Sequence, residues 1–227
     1  MNIWEHNDLS KIKVDFFGDT KVYWMDNFYK YPDLVHKELV DPPPPLWKHG
    51  GTWDPREYEN SKNTVHFEDR RWDRVKKEGL EVVYDNLSRL FGQRSLDRGL
   101  LVSNYTKFFS DEKSLEYNNY KDNYWWPHTD LGYNAIVYFN ESDDGSEVGT
   151  NLYEFVGEYQ YNNLYEHDDT WVSKKDWELI GSFKAKYNRL VAFDGKHYWH
   201  GMSINDDRWI HEARVNQVMF FSGLNLV

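Results

Sequence analysis

The chain has 227 residues and a mass of 27.4 kDa, which is enough to build one substantial hydrophobic core. It contains no cysteine, which excludes disulfides and thiolate metal sites and leaves histidine and carboxylate side chains as the metal ligands to consider. Its net charge of −11 opposes binding to nucleic acid, and an aromatic content of 18% favours a packed, β-rich protein over a disordered one.

The sequence shows no targeting signal. No apolar run approaches the roughly 18 residues that a membrane-spanning helix requires, and residues 1–6 lack the basic and apolar regions of a signal peptide. We therefore expect a cytoplasmic protein without a membrane partner, which acts on a small molecule or a peptide. The oligomeric state is left open by the sequence.

The first part of the chain mixes a strand and a helix. Residues 1–21 are expected to form an N-terminal extension, followed by a short strand at 22–25. A helix is predicted at 32–40, where Pro32 suits the first turn. The four prolines that begin at position 42 then end this helix.

One long helix is predicted at residues 69–91. Apolar residues recur there at helical spacing, and Gly92 supplies a C-terminal stop. The pattern is carried by Trp72, Val75, Gly79, Val82, Val83, Leu87, Leu90 and Phe91. The apolar stripe of such a helix needs a sheet to cover, so the helix is interpreted as structural.

Strand patterns dominate the rest of the chain. Apolar or alternating runs between turn residues predict strands at 100–109, 135–139, 152–155, 177–183, 189–193, 200–204 and 214–221. Many short strands behind one or two helices, with no regular βα alternation, predict a mostly β fold of the sandwich or jelly-roll type. Residues 22–227 are expected to form a single domain.

The stretch His128-Thr129-Asp130 leads into a strand that is apolar on both faces. Side chains two residues apart in an extended segment project from the same face, so His128 and Asp130 can reach one metal ion together. With 9 histidines in the chain, a His-x-Asp pattern arises by chance about once. The pattern occurs three times in the chain. Only His128-Thr129-Asp130 adjoins a strand that is predicted to be buried, so this occurrence is the candidate metal site.

A second histidine would complete a two-histidine, one-carboxylate set on Fe(II). That arrangement leaves coordination positions open for O2. His200 is the candidate, and His197, three residues earlier, competes with it.

Arg214 opens a strand that is otherwise largely apolar. In a strand at 214–221, Arg214 and Asn216 share one face with Val218. A buried guanidinium needs an anion, and its two parallel donors fit a carboxylate, so a dicarboxylic acid anchored at its far end would satisfy it. A salt bridge to one of the 38 acidic residues is the alternative.

These residues belong to an ordered set of short motifs that spans about residues 22–222. In chain order the motifs are Met25-Asp26-Asn27-Phe28-Tyr29-x-x-Pro32, His128-x-Asp130, Tyr138-Phe139-Asn140, Gly149-Thr150, Asn188-Arg189-Leu190-Val191-x-Phe193, His200-Gly201 and Arg214-x-Asn216. Their order and spacing resemble the Fe(II)/2-oxoglutarate-dependent dioxygenases, in particular the prolyl-hydroxylase-like branch and its phage-encoded relatives. The resemblance implies a double-stranded β-helix (jelly-roll) core with flanking helices.

The resemblance also implies roles for single residues. The family's iron ligands match His128, Asp130 and His200. The family has a glycine after its last histidine ligand, and Gly201 follows His200, so the resemblance favours His200 over His197. Its basic anchor for the 2-oxoglutarate C5 carboxylate matches Arg214.

Other positions match the family less closely. Asn216 stands where many members have serine, and it can still donate a hydrogen bond to the cosubstrate. Tyr105, on the strand before the metal motif, is a candidate to assist the anchor, with a place in the core as the alternative. Val148 stands where the family has the first glycine of a Gly-Gly-Thr turn.

The implied reaction is hydroxylation of a C–H bond, coupled to decarboxylation of 2-oxoglutarate and supported by ascorbate. The substrate would be a prolyl peptide, an amino acid or a small metabolite, and a phage-encoded member would act in the host cytoplasm. Two other functions stay open: a non-catalytic jelly-roll binding module, and a cupin-like metal enzyme that does not use 2-oxoglutarate. Trp125, Trp126 and Trp199 flank the ligands and are candidates for either the substrate pocket or the core.

Overall fold

The computed structural model describes residues 1–40, 67–108, 120–140, 149–158 and 171–222, without the side chains of residues 67–75, 105, 107 and 108. The helices are α1 (Pro32–Val40), α2 (Glu81–Phe91) and α3 (Arg208–His211), with a 3-10 turn at Leu9–Lys11. The strands are β1 (Lys13–Phe17), β2 (Thr20–Met25), β3 (Phe67–Lys76), β4 (Arg94–Ser95), β5 (Leu100–Phe108), β6 (Asn123–Trp125), β7 (Gly132–Tyr138), β8 (Gly149–Phe155), β9 (Trp171–Ser173), β10 (Trp177–Lys184), β11 (Arg189–Asp194), β12 (Trp199–Met202) and β13 (Arg214–Ser222).

The larger sheet has the strand order β1-β2-β11-β7-β13-β5-β3, with β4 paired to β13, and all of its pairs are antiparallel. Its central strand β7 is buried on both faces, as its continuous apolar run predicts. Ala135 and Val137 face one side, whereas Ile136 and Tyr138 face the other. The sheet therefore needs cover on both faces.

A smaller antiparallel sheet, β10-β8-β12, covers one face, and β6 and β9 form a separate two-stranded pair. Both sheets contribute to one buried cluster, the inter-sheet core. The smaller sheet supplies Leu152 and Phe183, and the larger sheet supplies Ile136, Val191 and Phe193. The predicted mostly β fold is confirmed.

The helices and the N-terminal residues cover the other face of the larger sheet. Side chains of α1 and α2, among them Val35, Leu39, Val83 and Leu87, form a second buried cluster there. Residues 1–21, expected as an extension, supply the edge strand β1 and place Trp4 in this cluster. Within the described ranges, none of the helices has the length and apolar character needed to span a bilayer.

The prediction of a single long helix at residues 69–91 is wrong in its first half. That part of the chain is β3, which pairs with β5 along its length, and only α2 is helical. Gly79, with a φ of +84°, lies in the turn between them. Upstream of Gly79 the helical pattern rested on Trp72 and Val75 alone. Backbone hydrogen bonding along the edge of β5 outweighs so weak a local preference.

The other predicted elements are confirmed with small shifts of their ends. The helix α1 has the predicted bounds, and α2 ends at Gly92 in the left-handed conformation, with a φ of +64°. The predicted strands correspond to β2, β5, β7, β8, β10, β11, β12 and β13. The strands β1, β4, β6 and β9 were not predicted, because runs of two to five residues carry too little pattern.

Asn188 connects the turn before β11 to the segment before α1. Its φ is +59°, and its buried side chain bonds both the N–H and the C=O of Tyr29 at 2.8 Å. Asn188→Gly should lower the free energy of unfolding by about 2–4 kcal/mol in urea titrations, because two buried backbone groups lose their partners. Asn188→Ala should cost about 1 kcal/mol more, since alanine disfavours this φ. A glycine variant as stable as wild type would contradict this role.

Candidate metal centre

Three side chains singled out in the sequence come together beside β12. The donor atoms of His128, Asp130 and His200 all lie within 4.8 Å of one another. His200 is 4% exposed, and the other two are half-buried. Within the part of the chain that the structure describes, no other group of three such side chains is found. The group can bind a metal ion.

Backbone pairing places His128 opposite His200. The N–H of each residue donates to the C=O of the other, at 2.9 and 2.8 Å, so the two form an isolated antiparallel bridge. Residues opposite each other in such a bridge project from the same side, and the centres of the two imidazole rings are 4.4 Å apart.

Asp130 is held by the turn between β11 and β12. Its backbone N–H donates to the Gly195 C=O at 2.7 Å. The same turn leads directly into His200, so it sets the position of both ligands. Asp130 Oδ2 lies 3.0 Å from His200 Nε2.

Backbone carbonyl groups orient both imidazole rings. His128 Nδ1 lies 2.9 Å from the Trp126 carbonyl oxygen, and His200 Nδ1 lies 3.2 Å from that of Tyr198. Because a carbonyl oxygen only accepts, each Nδ1 carries the proton. Nε2 of each ring is therefore the metal-binding atom, and the Nδ1 bond fixes the ring as in most metal-bound histidines.

The segment before His128 passes unusually close to β12. A Cβ atom on Gly201 would lie 2.4 Å from the Trp125 carbonyl oxygen, which explains why glycine follows His200. Trp126 then has a φ of +39°, an uncommon conformation for a large side chain. Such strain persists only where the surrounding structure imposes it, and it is concentrated at functional sites.

The environment of Asp130 keeps its carboxyl group ionised. Burial alone would raise the pKa of Asp130, but the hydrogen bond and charge that His200 supplies when both of its ring nitrogens are protonated, the charge of protonated His128 and the Asn134 amide outweigh it. Together they hold the pKa well below its usual range. An ionised carboxylate is the form that binds a cation.

The donor set fits a divalent transition metal. Two imidazole nitrogens and one carboxylate oxygen approach from one side, the arrangement found around non-haem iron. Neighbouring ligands of an octahedral ion at about 2.1 Å are about 3.0 Å apart. The distance from His200 Nε2 to Asp130 Oδ2 has this value. The same donors suit Fe(II), Mn(II), Co(II) and Zn(II), so the geometry defines a metal site and not one metal.

Arg214 is buried on the face of β13 that looks into the inter-sheet core, with 6% of its surface exposed. Its Nη2 donates to the Gly149 carbonyl oxygen at 3.2 Å, and its guanidinium carbon lies 5.9 Å from the centre of the Tyr138 ring. Its Nε has no hydrogen-bond partner among the residues that the structure describes. Burial lowers the pKa of the guanidinium, against the influence of Tyr138.

No ion pair between described residues involves Arg214. The salt bridge expected as the alternative is thus not found among them. A buried cation without an anion among the described residues suits an anionic ligand.

Asn216 shares the inner face with Arg214, as the strand phase predicts. It is fully buried, and neither its Oδ1 nor its Nδ2 has a hydrogen-bond partner within the described ranges. Tyr105 pairs with Val215, whereas Thr106 pairs with Arg214. The side chain of Tyr105 lies outside the described residues, as does Val148. The described residues here therefore present a guanidinium and an amide whose hydrogen-bonding atoms are not all used by described partners.

The competing histidine, His197, is not part of the group. Its side chain is 66% exposed, and its Nδ1 pairs with Asp194 Oδ2 at 2.7 Å.

Of the three flanking tryptophans, Trp126 lies nearest to the ligands, with its ring centre 5.2 Å from that of His128. Trp125 packs on Trp171 in the inter-sheet core. Trp199 packs on Trp177 in a separate cluster, on the outer face of the smaller sheet.

Sequence reasoning gave no role to three polar residues near these sites: Asn134, which it did not single out, and Tyr138 and Thr150, which it quoted only as parts of motifs. Asn134 contacts Asp130 and His200, and the Tyr138 hydroxyl donates to Thr150 Oγ1 at 2.7 Å. The available signal was phase: Asn134 and Tyr138 lie four residues apart on β7 and so share its inner face.

Compared with models of known protein families and with curated proteins, the chain matches none of them significantly. The fold and the site define a mostly β protein in which two histidines and an aspartate can bind a metal ion. The metal, a cosubstrate and a reaction must be inferred from the chemistry that these side chains permit.

Proposed function

We propose that the chain is an Fe(II)- and 2-oxoglutarate-dependent dioxygenase, built on a double-stranded β-helix, that hydroxylates a C–H bond. One observation carries the proposal: a two-histidine, one-carboxylate group accompanies a buried arginine that has no acidic partner among the described residues. A structural metal site would not need this arginine, and a structural arginine would need a carboxylate.

The metal would be held by Nε2 of His128, Nε2 of His200 and an oxygen of Asp130. Three protein ligands leave positions of an octahedral ion open for a cosubstrate and O2. Bound Fe(II) would supply the O2 chemistry, in which 2-oxoglutarate is decarboxylated to succinate and a C–H bond is oxidised. The residues of the chain contribute binding, orientation and exclusion of water.

Arg214 and Asn216 would bind the far carboxylate of 2-oxoglutarate. Arg214 Nε and Asn216 Nδ2 are both donors without partners, and a carboxylate has two oxygens to accept from them. Burial raises the pKa of the nearby Tyr138 hydroxyl, which stays protonated and bonded to Thr150. The charge of the proposed binding site is therefore the single positive charge of Arg214, which equals in size the negative charge of one carboxylate.

Aromatic side chains enclose the ligand histidines. Phe193 is fully buried and meets the His200 ring edge to face, with centres 4.9 Å apart. The Trp126 ring lies beside that of His128, with centres 5.2 Å apart. These apolar walls limit the access of water to a bound cosubstrate.

The proposed substrate is a prolyl peptide, an amino acid or a small metabolite. The overall charge of −11 disfavours nucleic acid. Screening such compounds for stimulation of succinate release would separate the three classes.

Arg214→Ala is expected to weaken 2-oxoglutarate binding by about 1.5–3 kcal/mol, or roughly 10- to 150-fold, while Mn(II) binding stays unchanged. The charge-assisted bonds to the far carboxylate are lost, whereas none of the metal ligands lies on β13. Calorimetric titration of 2-oxoglutarate into the Mn(II)-loaded protein measures the effect.

Arg189→Ala is the matched control. Arg189 lies on the same sheet but pairs with Asp26, at 2.6 Å from Nε to Oδ1, so its loss should not change cosubstrate affinity. If both variants bind 2-oxoglutarate as wild type does, Arg214 is not the anchor. Metal binding without any 2-oxoglutarate binding in wild type would favour the cupin-like alternative, and no metal binding would favour the non-catalytic module.

A further inference from the structure

Asn134 occupies an unusual position on β7. It is 2% exposed, and its cross-strand partners are Phe193 on β11 and Phe220 on β13. Burying an amide among phenylalanine side chains costs free energy unless its polar atoms find partners. Packing alone therefore does not account for an asparagine at this place.

The side-chain nitrogen of Asn134 is directed at the metal ligands. It donates to Asp130 Oδ2 and lies 2.9 Å from His200 Nε2. An amide nitrogen carries two hydrogens, so one is available for each ligand atom. His200 donates through Nδ1 to the Tyr198 carbonyl, which leaves its Nε2 free to accept. The amide thus contacts two of the three ligands. A metal would take the single lone pair of His200 Nε2, whereas Asp130 Oδ2 has a second lone pair, so the bond from Asn134 to Asp130 is the one that persists beside a bound ion.

The orientation of the amide is settled by its neighbours. If it were turned over, the Asn134 oxygen would face the Asp130 carboxylate, and two acceptors would repel each other. In the observed orientation Asn134 Oδ1 is buried without a hydrogen-bond partner in the described part of the chain. A buried oxygen without a hydrogen-bond partner lowers the free energy of unfolding. The arrangement therefore supplies Asp130 with a hydrogen bond at a cost in stability.

Gly195 leaves the space that this amide needs. A Cβ atom at position 195 would lie 2.7 Å from Asn134 Nδ2 and 3.0 Å from the Gly132 carbonyl oxygen. The Gly195 carbonyl also accepts the backbone N–H of Asp130. Gly195 therefore fixes the backbone of Asp130, while Asn134 fixes its side chain.

We infer that Asn134 is a positioning residue of the metal site, whose amide holds Asp130 Oδ2 at the ligand position and so makes the carboxylate bind through one oxygen. The inference rests on the metal ligands of the proposed function, but not on 2-oxoglutarate. A carboxylate without this restraint can rotate and bind an ion through both oxygens, which would occupy a position that the reaction needs.

The test uses the full chain and the metal alone. Asn134→Ala should weaken Mn(II) binding about 10- to 100-fold in calorimetric titrations, the usual effect of removing a group that orients a metal ligand. The visible absorption spectrum of bound Co(II) should also change, because it reports the number and arrangement of ligands. Asn151→Ala is the matched control, since Asn151 is a buried strand asparagine that bonds Tyr153 and Ser182 instead of metal ligands.

Asn134→Leu is a second variant, used in case Asn134→Ala does not fold. Leucine fills a similar volume among Phe193 and Phe220 without any hydrogen-bond donor, so this variant should keep the wild-type melting temperature or exceed it. It should still bind Mn(II) about 10- to 100-fold more weakly. A purely structural asparagine would show the reverse, with a lower melting temperature and normal metal affinity.

The inference is overturned if both Asn134 variants bind Mn(II) within about threefold of wild type with an unchanged Co(II) spectrum, or if Asn151→Ala weakens binding equally. Absence of metal binding in wild type would overturn it together with the metal half of the proposed function. Weak binding in the Asn134 variants beside a wild type that binds metal but forms no succinate would support the inference and refute the dioxygenase alone.

Discussion

Replacing His200 by alanine is expected to abolish binding of Fe(II), or of Mn(II) as a redox-inert substitute, whereas His197→Ala is expected to leave it intact. His200 is buried, its Nε2 lies 3.0 Å from Asp130 Oδ2, and its ring lies beside that of His128. Without it two donors remain, too few for a stable site in a protein. His197 is exposed and pairs with Asp194.

The two variants form a matched pair, because they remove the same side chain three residues apart on either side of the start of β12. Calorimetry with Mn(II) at neutral pH, together with a melting curve for each variant, separates loss of the ligand from loss of the fold. Binding that disappears in His197→Ala and survives in His200→Ala would show that the third ligand is wrongly assigned.

The fold was predictable where a pattern was long or strongly periodic. The strand β7 contains most of the apolar run at 135–139, and α1 begins at a proline and ends before a run of prolines, so both were found from local sequence. The strand β3 was not, because its pairing with β5 depends on residues far away in the chain. A charged edge strand has no apolar face of its own to give a period-two signal.

The ligand group was predictable because three of its properties are local. His128 and Asp130 lie two residues apart, they adjoin a buried strand, and a glycine follows His200. The structure adds the reason for that glycine, which is the approach of the Trp125 carbonyl oxygen. Arg214 was predictable from strand phase, because an arginine on an inward face stands out among apolar neighbours.

The surroundings of the ligands could not be read from the sequence. The carbonyl groups that fix both imidazole rings come from Trp126 and Tyr198, and a backbone carbonyl leaves no mark on residue identity. Asn134 joins the site only because β7, β11 and β12 meet there. Such contacts depend on tertiary structure, so spacing rules do not detect them.

Wild-type protein is expected to convert 2-oxoglutarate to succinate when supplied with Fe(II), ascorbate and O2, slowly by itself and faster with its substrate. Three ligands would leave coordination positions open for the cosubstrate and O2, and Arg214 is proposed to retain the cosubstrate by its far carboxylate. Asp130→Ala removes the only carboxylate ligand and should lose essentially all of this activity.

The most direct measurement is therefore succinate release by wild type and Asp130→Ala, side by side, at the same iron concentration. The dioxygenase assignment predicts succinate from wild type alone, in amounts that exceed those from iron without protein. Equal release by both proteins would show that free iron is responsible, and no release by wild type with its metal bound would contradict the assignment.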